Sequence, residues 1–165
     1  MKKWITLTVL VLVIVLGTFN IAAASNSVTV FTASFGDEAG TGSDAHGTAI
    51  VVFSDDGSKL NFKLVVNGLD NTTQSHIHVA SVPGGNGPVV LWLYPNQPPS
   101  MLIPGTFNGL LGTGEATSAN LVGPLFGLTL ADLRQAIEEG RAYVNVHTTL
   151  FPGGEIRGQL GLASE

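Results

Sequence analysis

Leu60-Asn61-Phe62-Lys63-Leu64-Val65-Val66 decides the fold class. Leu60, Phe62, Leu64 and Val66 alternate with Asn61, Lys63 and Val65, the period of two that marks a half-buried strand. Just before it stands Asp55-Asp56-Gly57-Ser58, a hairpin turn, because Asp and Gly tolerate positive φ. The hairpin's other arm is a strand over residues 47–54, expected to turn Ile50, Val52 and Phe53 toward the core. On the far side, Gly68-Leu69-Asp70-Asn71 reads as a turn leading into a strand over 74–80.

The same signals continue outward. Residues 27–34 read as a first strand, followed by a Gly-, Asp-, Ser- and Thr-rich connection over 35–46. Pro-Gly-Gly-Asn-Gly-Pro within 81–88 marks a loop, 89–94 a strand, and the four prolines within 95–104 an irregular stretch. Residues 106–111 form a strand and 112–127 carry no clear pattern. One helix stands out. Thr129 and Asp132 form a capping-box pair, Leu130, Leu133 and Ile137 an apolar stripe, and Gly140 a stop. The last strands are 141–148 and 155–162, joined by Phe151-Pro152-Gly153-Gly154. Short contiguous strands and one short helix predict an all-β fold, an antiparallel Greek-key sandwich or barrel.

The chain has 165 residues and begins Met1-Lys2-Lys3-Trp4, runs apolar to Gly17, and reaches Ala22-Ala23-Ala24. A basic start, an apolar middle and small residues at the end predict a secretory signal peptide over 1–24. The alternative is a retained membrane anchor. Residues 25–165 then form one domain, exported to an extracellular or periplasmic space. No cysteine is present, which excludes disulfides, thiolate metal sites and a cysteine nucleophile. Removing Lys2 and Lys3 leaves five basic against twelve acidic side chains, a formal charge of −7. Nucleic acid is not an expected partner, because phosphate binding needs basic patches. Once the leader is gone, no membrane partner is expected either.

Three of the four histidines lie in two segments, Ser75-His76-Ile77-His78-Val79 and Tyr143-Val144-Asn145-Val146-His147-Thr148. On a strand, His76 and His78 share one face while Ile77 points into the core. If the second segment is a neighbouring strand, His147 completes a three-imidazole site suited to copper, with zinc the other option. Asn145, Thr148, Glu155 and Gln159 are the expected hydrogen-bond partners fixing the imidazoles. The competing reading is a polar cluster of structural histidines. His46, in a loop, reads as solvated rather than as a fourth ligand. Asp37, Glu38, Asp44, Asp55 and Asp56 lack the spacing of a calcium loop. Asn71-Thr72-Thr73 has the form of a glycosylation sequon. Trp92 and Tyr94 share a strand face, for a sugar, a partner or edge packing.

The segments His76-Ile77-His78-Val79-Ala80, Gly87-Pro88-Val89-Val90, Tyr143-Val144-Asn145-Val146-His147-Thr148 and Pro152-Gly153-Gly154-Glu155-Ile156-Arg157-Gly158-Gln159 resemble the chordin-type (CHRD) domain. That family carries an "HIHGPA"-like segment and, later, a "YVNVHT…NPGGEIRGQ" segment. The likeness spans nearly all of residues 27–162. Phe35-Gly36-Asp37-Glu38-Ala39-Gly40 departs from the family's "GAQEVPP"-like segment. A more distant resemblance is to copper-zinc superoxide dismutase. It rests on Gly68-Leu69, His76-Ile77-His78, Val146-His147 and Gly154-Glu155-Ile156-Arg157-Gly158. It implies a related β-architecture, copper on the histidines, and Arg157 as an anion-guiding residue should the chain be a dismutase. No His or Cys lies between His78 and His147, so a bridging histidine, a zinc site and a disulfide have no counterpart.

The expected function is therefore binding of a copper-type ion by His76, His78 and His147 in a secreted CHRD-domain protein, without catalysis. The alternative is an extracellular interaction or matrix module, self-assembling or bound to another extracellular protein. A copper-only dismutase is the third reading. Neutral imidazoles bind the ion, so affinity is expected to fall below about pH 6.

Overall fold

The computed structural model describes residues 28–37 and 40–163; the leader expected over 1–24 lies outside them. Eight strands and one helix follow in order: β1 Thr29–Asp37, β2 His46–Phe53, β3 Leu60–Val79, β4 Val89–Tyr94, β5 Ile103–Ala116, α1 Leu130–Glu138, β6 Ala142–Thr148, β7 Ile156–Gln159 and β8 Gly161–Leu162. Every pairing is antiparallel. The fold is all-β, as the alternation in residues 60–66 predicts.

β3 organises the molecule. Its 20 residues form one strand, where the sequence predicts two strands and a turn at 68–71. The turn signal is locally sound: Gly68 has φ 76° and Asn71 φ 53°. Those residues make bulges instead of a reversal, with register shifts against β5 between Val66 and Leu69 and between Asp70 and Thr72. A bulge adds a residue, bends the strand and leaves the chain running on. Side chains bridge the interrupted ladder. Gly68 N donates to Asn108 Oδ1 at 2.8 Å, and Gly105 N donates to Asn71 Oδ1 at 3.0 Å.

The bend closes the sheet. Residues 60–67 of β3 pair with β2, and residues 72–79 pair with β6. β2 pairs with β1, β1 with β7, and β7 with β6, which returns to β3. β5 and then β4 line the other side of β3. Closure through this long bent strand gives β1, β2, β6 and β7 partners on both sides, and among the described residues β4 and β5 are the edges.

The interior is apolar. Leu60, Leu64, Val66, Leu69 and Ile77 of β3 meet Phe31, Val51, Val144, Val146 and Ile156, all fully buried. On β2 the sequence misassigns the face. Ala49, Val51 and Phe53 point inward, while Ile50 is exposed and Val52 half-buried. Ile50 and Phe53 cannot share a face at a period of two. The Phe53 ring decides the register by packing edge-on against Phe31 at 5.7 Å.

β1 continues to Asp37 through pairing with Ile156 and Arg157 of β7, beyond the expected end at residue 34. β5 is also longer than expected, because its glycines hide the pattern. A Cβ on Gly112 would lie 2.7 Å from Leu93 O, and one on Gly114 would lie 3.0 Å from the Phe62 ring. Neighbours fill the space where an inward side chain would stand. The stretch 155–162 divides at Leu160, whose N–H bonds Ala142 O at 3.0 Å.

α1 is as predicted. Thr129 N donates to Asp132 Oδ2 at 2.8 Å, Gly140 ends the helix at φ 69°, and Leu130, Leu133, Ala136 and Ile137 are buried. It packs against β3, β6 and β8.

Candidate metal centre

The outward face of β3, β6 and β7 carries the site. Directly paired residues on neighbouring antiparallel strands point the same way. His76 pairs with Asn145, His78 with Tyr143, and Gln74 with His147. On β7, Arg157 pairs with Asn145 and Gln159 with Tyr143. On β4, Trp92 pairs with His76. The inward positions between them, Ile77, Val144 and Val146, lie in the core. His147, opposite the residue two before His76, reaches it diagonally.

Loops roof this face and bury it. His76 is 2 % exposed, His78 7 % and His147 6 %. The three residues each offer one nitrogen, and these nitrogens lie within 4.8 Å of one another. The sequence expectation that β6 brings His147 beside the His-x-His pair therefore holds.

The hydrogen bonds identify the available nitrogens. His78 Nδ1 lies 2.9 Å from Gly87 O, and His147 Nδ1 2.9 Å from Pro152 O. A carbonyl only accepts, so each Nδ1 carries the proton and each Nε2 keeps a lone pair. His76 Nδ1 lies 3.2 Å from His147 Nε2. In the metal-free protein this is an N–H of His76 donating to His147. Two nitrogens 3.2 Å apart subtend about 100° at an ion held at usual zinc–imidazole distances, close to tetrahedral. His78 Nε2 is buried with no hydrogen-bond partner among the described residues, and so is His76 Nε2. A bound metal ion would satisfy the first of these. To offer Nδ1 as a ligand, His76 would carry its proton on Nε2.

The expected side-chain partners are not those that orient the imidazoles. Two main-chain carbonyls do so, from the Gly- and Pro-rich loops at 81–88 and 151–154. Glu155 is buried, accepting from Ser43 Oγ at 2.6 Å and from Thr148 Oγ1 at 2.6 Å. It ties the 40–45 loop to β6. Gln159 Nε2 donates to Gly140 O at 2.9 Å. Asn145 Nδ2 donates to Gly153 O at 3.3 Å, anchoring the loop that supplies Pro152 O. His46 stands outside the cluster, exposed, with Nδ1 3.3 Å from Asp44 O.

Aromatic side chains form the walls. The Trp92 ring meets His76 edge-on at 4.2 Å, and Tyr143 stacks on His78 at 4.9 Å with 9° between the planes. The Arg157 guanidinium carbon lies 3.5 Å from the Tyr143 ring centroid. Arg157 also donates to Gly85 O at 2.7 Å and to Asn86 Oδ1, pinning the loop that holds Gly87. Arg157 thus lies on the histidine face and reaches the site through Tyr143 and His78. Tyr143 was absent from the sequence candidates. Its signal was present, since Tyr143, Asn145 and His147 alternate along one strand.

Burial keeps all three imidazoles neutral. It lowers the pKa of each, and His76 falls from 6.5 to about 3, helped by the neighbouring charges of His147 and His78. For His78, Gly87 O pushes the other way, while His147 and Arg157 reinforce the fall. Neutral imidazole is the metal-binding form.

The CHRD domain model matches residues 28–160. The chain belongs to this family. Both histidine segments lie within the match. No curated protein and no solved structure matches the chain, so the superoxide-dismutase likeness rests on the quoted residues alone. Among the described residues, no helix is long and apolar enough to cross a membrane.

Proposed function

We propose that this CHRD-domain protein is exported and binds one copper-type metal ion through His76, His78 and His147. The observation that carries the reading is the convergence of three buried, neutral imidazoles, with the outer nitrogens of His78 and His147 held by main-chain carbonyls. Preset tautomers and buried lone pairs suit a metal better than a hydrogen-bonded cluster, which would leave His78 Nε2 without a partner. Copper stands above zinc on affinity, because an imidazole site follows the Irving–Williams order.

Titration of the metal-free protein with copper and with zinc, followed by calorimetry at neutral pH, tests this. One ion per chain is expected, with the tight phase abolished in His76→Ala and His147→Ala while circular dichroism keeps its strand signal. Equal binding by the folded variants would remove the site.

A second reading, an assembling extracellular module, has one observation of its own. Among the described residues β5 pairs only with β3, leaving a 14-residue strand with an open side and Leu110 exposed. Size measurement with and without metal separates a monomeric binder from an assembling protein.

A further inference from the structure

We infer that the site is built for a monovalent ion, Cu(I), and selects it over divalent copper and zinc. This rests on the metal-binding reading above and concerns the charge of the ion. The ligand set is wholly neutral. Among the described residues the cluster holds three histidines and no carboxylate or thiolate. An ion there keeps its full charge, so the surroundings must stabilise it.

The surroundings do this poorly for a dication. All three ligands are nearly sealed from water. The walls against them are the Trp92 ring, perpendicular to His76, and the Tyr143 face. Glu155, a buried carboxylate just before β7, stands outside the cluster and has its two oxygens bonded to Ser43 and Thr148. The charged group that reaches the wall from β7 is a cation, Arg157, lying on Tyr143. The cost of taking an ion out of water grows with the square of its charge, so a dication costs about four times what a monocation of equal size does. The Arg157 field adds repulsion proportional to charge. Zinc normally takes a fourth ligand, whereas a filled-shell monovalent copper ion is satisfied by two or three nitrogens. Neutral donors, low polarity, a nearby cation and three ligands all favour the lower charge.

The test is affinity measured for each ion on the purified protein at one pH. Cu(I) is set by anaerobic competition with bicinchoninate, Cu(II) and Zn(II) by calorimetry or competing chelators. Cu(I) is expected to bind one per chain at least about a hundredfold more tightly than either dication, with Ag(I) displacing it. A smaller ratio for Cu(II) or Zn(II), with that binding lost in His76→Ala, leaves the metal site standing and overturns the monovalent assignment. Failure of every ion to bind overturns both. Arg157→Met tests the cause. It should narrow the ratio about fivefold by favouring the dications, while Arg157→Lys, which keeps the charge, preserves it. An unchanged ratio in a folded Arg157→Met protein also overturns the inference.

Discussion

His76, His78 and His147 are uncharged in the folded chain because burial denies an imidazolium its water. An unfolded histidine protonates near its ordinary pKa of about 6.5. Below that pH the unfolded chain binds protons that the native chain refuses, until pH falls to the native values, about 3 for His76. Stability of the metal-free protein is therefore full above about pH 6.5 and declines as pH falls through this window. The steepest loss is about 1.4 kcal/mol per pH unit for each histidine. Urea unfolding at pH 7, 5.5 and 4.5 should show the decline, shallower in His76→Gln; a flat profile would contradict it. Gly87 is the other decisive residue. A Cβ there would lie 2.0 Å from Val79 O, so Gly87→Ala must shift the carbonyl that orients His78. It should weaken copper binding at least about tenfold while the fold survives, measured by the same calorimetry. The histidines themselves were legible, because a His-x-His spacing on a strand has one geometric meaning. Their orienting partners were not, since a main-chain carbonyl leaves no mark in a residue name.

Among elements, β3 departs most from what its residues suggest. Gly68 and Asn71 were legible as positive-φ residues, and they are. Whether such residues reverse a strand or bulge it depends on the partner alongside, and β5 supplies ladder bonds on both sides of the irregularity. Gly68→Ala should cost about 1–2 kcal/mol from the left-handed backbone alone, because the nearest atom to an added Cβ is Ala45 Cα at 3.6 Å, ordinary contact. Chemical denaturation checks this; a neutral substitution would mean that the bulge tolerates a different φ. β2 and β5 teach the same lesson. Ile50 and Val52 are as apolar as the residues that face inward, and Gly112 and Gly114 are silent, so partners rather than composition assign their faces. α1 was legible because its cap, stripe and stop are all local.

At the scale of the molecule, the site is a joint between segments about 70 residues apart in sequence, as the span from His76 to His147 shows. An ion that binds only the folded chain stabilises it by mass action, about 2.7 kcal/mol at a hundred times Kd. For a domain of this length that corresponds to a rise of roughly 10 °C in Tm. Thermal unfolding with and without Cu(I) should show this rise, and His147→Ala should abolish it; an equal rise in the variant would place the ion elsewhere. The chain's own residues determined the all-β class, the helix, the outward pairing of His76 with His78 and the candidate role of His147. Those follow from periodicities and caps that act over a few residues. Only the tertiary structure decided that β3 bends to close the sheet, that β6 lies against it, and that Tyr143, Trp92, Gly87 and Pro152 enclose the imidazoles. Those contacts join distant segments, and their energy depends on which backbone and which ring occupy the same space.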